Sequence, residues 1–167
     1  MAQNYQIRPA APADVPQILT FIRELADYEK LSHEAVGTAE QLHEHLFGPT
    51  PRAEVILLEQ LEGGVAEPAG FALYFHNYST FLTRPGIYLE DLFVRPQFRG
   101  SGFGKALLLH LAKLAVERGC GRLEWAVLDW NAPAIGFYEN LGARMMNEWR
   151  TFRLTGDSLT SLAAEAR

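Results

Sequence analysis

The sequence predicts an α/β fold: a central mixed sheet with helices on both faces. Three observations lead there. Strand-like apolar runs alternate with segments of helical period. Gly119 and Gly142 each stand where a helical run should stop. A glycine-rich stretch, residues 99–104, joins a strand to a helix mid-chain. The first half reads β-α-α-β-β-β and the second α-β-α-β, which a layered sheet satisfies.

Each element has its own signal. Residues 5–8 alternate and then meet Pro9, giving a short first strand. Val15, Ile18, Leu19, Ile22 and Leu25 recur at helical spacing after Asp14, an expected N-cap, so a first helix runs to about Tyr28. Thr38 and Gln41 have capping-box spacing for a second helix that stops at Gly48-Pro49. Residues 54–59 form a strong strand, interrupted at Gly63-Gly64, and Pro68-Ala69-Gly70 is expected to close the connection. Residues 71–75 and 87–94 are two further strands, expected to pair antiparallel across a turn at Arg84-Pro85-Gly86. A helix follows from about Gly102 to Arg118, then a strand over residues 123–128. Asn131 is expected to cap a helix over residues 132–141. A last strand over residues 149–154 and a weak helix after Asp157 complete the chain.

The 167 residues, 48% hydrophobic and 21% charged, suit one ordinary domain able to bury its own core. A single cysteine, Cys120, excludes an internal disulfide framework and a multi-cysteine zinc site. The five histidines share no ligand motif, so no metal is expected. No apolar run has the length of a membrane span, and the N-terminus lacks a signal-peptide pattern, so the expectation is a cytoplasmic protein without membrane partners. The net charge is −5. Residues 1–84 carry 5 Lys/Arg against 11 Asp/Glu, and residues 85–167 carry 10 against 9. Neither half has the basic excess of a nucleic-acid binder.

The glycine stretch Arg99-Gly100-Ser101-Gly102-Phe103-Gly104 stands at a strand-to-helix junction, where backbone N–H groups and the helix dipole make an anion site. The nucleotide phosphate-loop pattern fails, because Gly104-Lys105 is followed by Ala106. The dinucleotide pattern G-x-G-x-x-G fails on spacing. What remains is R-x-x-G-x-G, at Arg99, Gly102 and Gly104, followed by N-x-x-A-x-x-F-Y-x-x-x-G from Asn131 to Gly142. In this order the two motifs resemble the GCN5-related N-acetyltransferase (GNAT) superfamily. The stretches around Glu24–Glu29, Tyr88–Val94 and Asp129–Pro133 are similar to its spermidine/spermine (diamine) N-acetyltransferase branch, which includes thialysine enzymes.

The resemblance implies a mostly antiparallel twisted sheet, splayed at the acetyl-CoA site, in one N-acetyltransferase domain spanning residues 1–167. It implies acetyl-CoA as co-substrate, a small cationic primary amine (diamine, polyamine or thialysine-like) as acceptor, direct transfer, and a homodimer. Tyr138 matches the general acid, and a phenol of pKa about 10 is a sensible donor to a thiolate whose conjugate pKa is about 8.5. Glu90 matches the proton acceptor, acting through water. Strict alternation turns Glu90 and Asp91 to opposite faces; the resemblance implies a bulge in this strand, which would let both serve one site. The backbone of Leu92, Phe93 and Val94 is expected to pair with pantetheine. Arg99, Gly100, Ser101, Gly102, Phe103, Gly104 and Lys105 are expected at the phosphates, with Asn131, Ala132, Pro133 and Ala134 also on the cofactor. Tyr28, Glu29, Glu90, Asp91, Glu124 and Trp125 are the expected amine contacts. Glu148 is set aside, because the segment after Ala143 is short for a polyamine enzyme. The rival readings are acetylation of protein lysine or N-terminal amines, and acyl-CoA binding without catalysis.

Overall fold

A computed structural model describes residues 4–166. The chain divides into two compact units, Met1–Ala126 and Val127–Arg167. The first unit holds β1 (Tyr5–Pro9), α1 (Val15–Tyr28), α2 (Ala39–Phe47), β2 (Glu54–Glu62), β3 (Val65–Ser79), β4 (Arg84–Val94), α3 (Phe103–Glu117) and β5 (Leu123–Trp125). The strands form one sheet in sequence order; β1 to β4 are antiparallel neighbours and β5 runs parallel to β4.

Alternation divides the core between the two faces. On one face Val55, Leu57, Phe71 and Phe93 pack with Ile18 and Phe21 of α1 and Leu46 of α2. The rings of Phe21 and Phe71 stack at 5.4 Å. Of the face expected from helical period, Phe103, Leu107, Leu111 and Leu114, α3 buries the first three, with Leu108 and Ala115 in addition, while Leu114 is only partly buried; the helix packs on β2, β3, β4 and β5.

α2 has the predicted capping box: Gln41 N–H donates to Thr38 Oγ1 and Thr38 N–H to Gln41 Oε1. Asp14 departs from expectation. Its own backbone is already helical and its side chain does not cap α1. The carboxylate instead accepts the Ala11 N–H at 2.7 Å and a bidentate pair of bonds from Arg8. It closes the 3₁₀ turn Pro12–Asp14 that precedes the helix.

Other boundaries also move. The expected connection at Pro68-Ala69-Gly70 lies inside β3. There Leu58 pairs with Gly70 and Glu59 with Pro68, leaving Ala69 as an extra residue. A bulge tolerates a proline that a regular ladder would reject. Arg84-Pro85-Gly86 likewise starts β4 and does not turn, because pairing runs out to Ser79 opposite Arg84. The reversal falls on residues 80–83, with Thr83 at φ 50°.

The strand expected over residues 123–128 is three residues long, Leu123–Trp125. In the second unit, α4 (Ala132–Asn140) and α5 (Gly156–Ala164) are where the sequence puts helices. Residues 149–154 form no strand. Their alternation fits one, but a strand needs a neighbour to take its backbone bonds, and none pairs with them among the described residues.

Candidate active site

The site features of the first unit begin at an irregularity in β4. Leu73 pairs with Asp91 and Tyr74 with Leu89, so Glu90 is the extra residue of a bulge. Asp91 therefore shares the α1 face with Phe93, while Leu89, opposite Tyr74, lies on the α3 face. The bulge that the family resemblance implies is present. Pairing of β4 with β5 ends just before it, at Leu89 opposite Trp125. From Glu90 to Val94 that edge of β4 has no strand partner among the described residues. The sheet is open there to another extended chain.

The carboxylates of Glu90 and Glu29 both act on Asp91 at the bulge. Glu90 is exposed and Asp91 is half-buried. Asp91 is pushed up to about 6, first by burial, then by the charges of Glu90 and Glu29. Burial also raises Glu29, the residue that ends α1. Among the described residues the charges that act on Asp91 are negative, an arrangement that favours a bound cation. Glu124 is placed differently. It pairs with Tyr88 across β4 and β5, lies 2.9 Å from Arg122 Nε and accepts the Asn77 side-chain N–H at 2.7 Å. Its charge is already offset, unlike those of the trio.

The glycine stretch leads into α3. Gly100 and Gly102 take φ 82° and 81°, and a Cβ on either would meet nothing within 4 Å. That is a left-handed backbone with open space above it. The first bond of α3 runs from the Ala106 N–H to the Gly102 carbonyl. The helix therefore supplies no acceptor for the amides of residues 103–105, which suit an anion. A Cβ on Gly104 would lie 3.8 Å from Leu92, an ordinary contact, and α3 rests on β4. Ser101 and Lys105 are exposed. Phe103 contributes only backbone: its ring is buried against Tyr5 and Phe98. Phe93 is a core residue, and the Val94 carbonyl accepts Arg99 Nε–H at 3.1 Å.

In the second unit Asn131 caps α4, its side-chain oxygen accepting the Ala134 N–H at 3.3 Å, with Pro133 in the first turn. Tyr138 sits in the last turn. Its carbonyl accepts the N–H groups of Leu141 and Ala143, and Gly142 takes φ 88°. This Schellman ending fixes the backbone that presents the phenol. Its ring lies 5.2 Å from that of Phe137.

The sequence reading missed two contacts of the first unit. Arg95 makes a bidentate pair with Glu24 at 2.9 Å. Arg99 stacks on Tyr28. Both join β4 or the following loop to α1. Only the third dimension brings residues about 70 apart in sequence together.

Residues 21–143 match the family described as acetyltransferase (GNAT) family. The chain belongs to this family. A thialysine N-epsilon-acetyltransferase of Bos taurus is 40% identical, covering 95% of this chain and 97% of its own length. An L-ornithine N5-acetyltransferase of Arabidopsis thaliana is 38% identical, covering 94% and 87%. Among solved structures, an integron cassette protein from the mobile metagenome of V. cholerae superposes with a TM-score of 0.78 at 27% identity, over 96% of this chain and 98% of that one. The chain is thus a GNAT acetyltransferase, a family whose co-substrate is acetyl-CoA. No helix among the described residues is long and apolar enough to cross a membrane, and no group of three His, Cys, Asp or Glu residues there is arranged to hold a metal.

Proposed function

We propose that this GNAT acetyltransferase moves the acetyl group of acetyl-CoA onto the primary amine of a small cationic substrate, a diamine, polyamine or thialysine-like amino acid. The observation that carries the reading is the trio Glu29, Glu90 and Asp91 at the open edge of β4. Carboxylates with no cation of their own attract an ammonium group. The thialysine and ornithine specificities of two relatives agree with a small amine.

The chemistry assigns the remaining roles. An ammonium has no lone pair, so Glu90, exposed at the bulge, takes its proton through water. The free amine attacks the thioester carbonyl, the carbon–sulfur bond breaks, Tyr138 protonates the departing thiolate, and the proton that the nitrogen sheds on becoming an amide returns to the phenolate. Asp91 and Glu29 hold the cation, with Tyr28 and Trp125 along its hydrocarbon part. The open edge at Leu92–Val94 offers backbone groups to the pantetheine arm. Gly100, Gly102 and the first amides of α3 receive the phosphates, with Lys105 adding charge. Asn131–Ala134 complete the cofactor contacts. In this reading both units form one catalytic domain, since the family match runs across them, and the protein works as a cytoplasmic homodimer.

A thiol-release assay with acetyl-CoA over a panel of diamines, spermidine, thialysine, ornithine and lysine peptides tests the proposal. Release with small amines and little with peptides is expected. A preference for peptides, or CoA binding without release for any amine, overturns it.

A further inference from the structure

Arg99 is held on three sides. Its Nε–H donates to the Val94 carbonyl at 3.1 Å. Its guanidinium carbon lies 4.5 Å from the centre of the Tyr28 ring and 5.8 Å from that of Phe93. Phe93 is fixed in the core, 4% exposed, whereas Tyr28 is 41% exposed at the end of α1. The backbone after Tyr28 is also constrained. Leu31 N–H reaches the Ala26 carbonyl at 2.8 Å, and Lys30 takes φ 62°, a left-handed value rare for a side chain of its size.

Arg99 and Tyr28 each have a neighbour with a proposed role. Gly100, at φ 82°, begins the left-handed part of the glycine loop next to Arg99. Glu29, whose charge acts on Asp91, follows Tyr28. One side-chain contact therefore joins the phosphate loop to the wall of carboxylates. Only a guanidinium can make it, because a flat face stacks on two rings while an in-plane N–H bonds a carbonyl.

We propose that Arg99 is a positioning residue coupling the two substrates: its stack on Tyr28 ties occupancy of the glycine loop to the placement of Tyr28 and Glu29, so the amine binds more tightly when CoA is on the loop. This rests on the function proposed above. Linkage makes the effect reciprocal, and a factor of about five lies at the low end of such couplings.

Hydrogen–deuterium exchange with saturating CoA tests the coupling without turnover. In the native protein, CoA should slow the amides of residues 102–106 and, about fivefold, those of residues 26–31. Arg99→Lys and Arg99→Gln should keep the first effect at saturation and lose the second. Tyr28→Leu removes the stack from outside the loop and should do the same, while Tyr28→Phe, which keeps a ring, should retain both. In turnover, Arg99→Lys should raise KM for the best amine of the panel about fivefold more than KM for acetyl-CoA. Equal protection of residues 26–31 in the native protein and Arg99→Lys overturns the coupling. So does protection of the loop alone in the native protein. A native protein that acetylates no amine would sink the functional reading instead, and the exchange experiment would still decide the coupling.

Discussion

At Asp91 the fold opposes ionisation. The carboxyl is pushed up from 3.8 to about 6, so between these values the folded chain binds more protons than the unfolded one. Its favourable contribution to stability is full below about pH 4 and is lost as pH rises through 6. Asp91→Asn removes that loss. After discounting for partial exposure, the variant should gain about 1–2 kcal/mol at pH 7.5, read as a higher midpoint in urea. It should also bind the amine more weakly and lack the rise in amine KM expected of the native enzyme as pH falls through 6. Tyr138→Phe keeps the ring and removes the phenolic proton. Turnover should fall by about 100-fold, the low end for a lost general acid, with CoA affinity by calorimetry little changed. Unaltered turnover would remove Tyr138 from the chemistry. Sequence marked both residues, Tyr138 by its motif and Asp91 by its neighbour Glu90. The elevation of Asp91 was not legible, because it depends on burial and on Glu29, about 60 residues earlier.

At the scale of elements, the glycines of the loop are not equivalent. Gly100 and Gly102 have positive φ, whereas Gly104 does not, and a Cβ added there would make ordinary contact with Leu92. Gly102→Ala should cost about 1 kcal/mol through its left-handed backbone and raise KM for acetyl-CoA. Gly104→Ala, already within a helix, should match or exceed native thermal stability. A shared loss of stability would contradict this division. Helices were legible where a local signal exists, as at Thr38 with Gln41, Asn131 with Ala134, and Gly142. Strand limits were less so. Pro68 and Pro85 look like breaks in a sequence, but both lie within paired strands. Asp14 looks like a cap, but Arg8 and Ala11 hold its carboxylate.

Across the whole molecule, sheet order was not derivable from periodicity, because it depends on long-range pairing. The layered α/β class was legible because alternating and helical periods report which faces are buried. The network that secures the sheet edge is long-range too. Arg8 makes bidentate bonds to both Asp14 and Glu59, and Gln6 adds one to Glu59 at 2.6 Å. Glu59 is 6% exposed. Arg8→Ala would leave that charge nearly unpaired, at a cost of about 3 kcal/mol in urea-induced unfolding. Arg8 holds the pKa values of Asp14 and Glu59 below their usual range. Their stability is present above the ordinary carboxylate range and is lost as pH falls through the lowered values. Asp91 acts in the opposite sense. The native chain should therefore be most stable near pH 4 and lose stability from there to about pH 6, and Asp91→Asn should remove that decline in a melting series.

The extra residue at Glu90 has an evolutionary side. Removing one residue from a paired strand normally inverts every side chain beyond the cut. In β4 the count is already one over, so loss of Glu90 would bring Leu89 and Asp91 into step with Tyr74 and Leu73 while leaving every other pair of β3 and β4 in phase. This strand can shed a residue and regain a flat ladder, and with it lose the opening that the proposed chemistry requires. A descendant lacking that one codon would be expected to keep the fold and abandon the reaction.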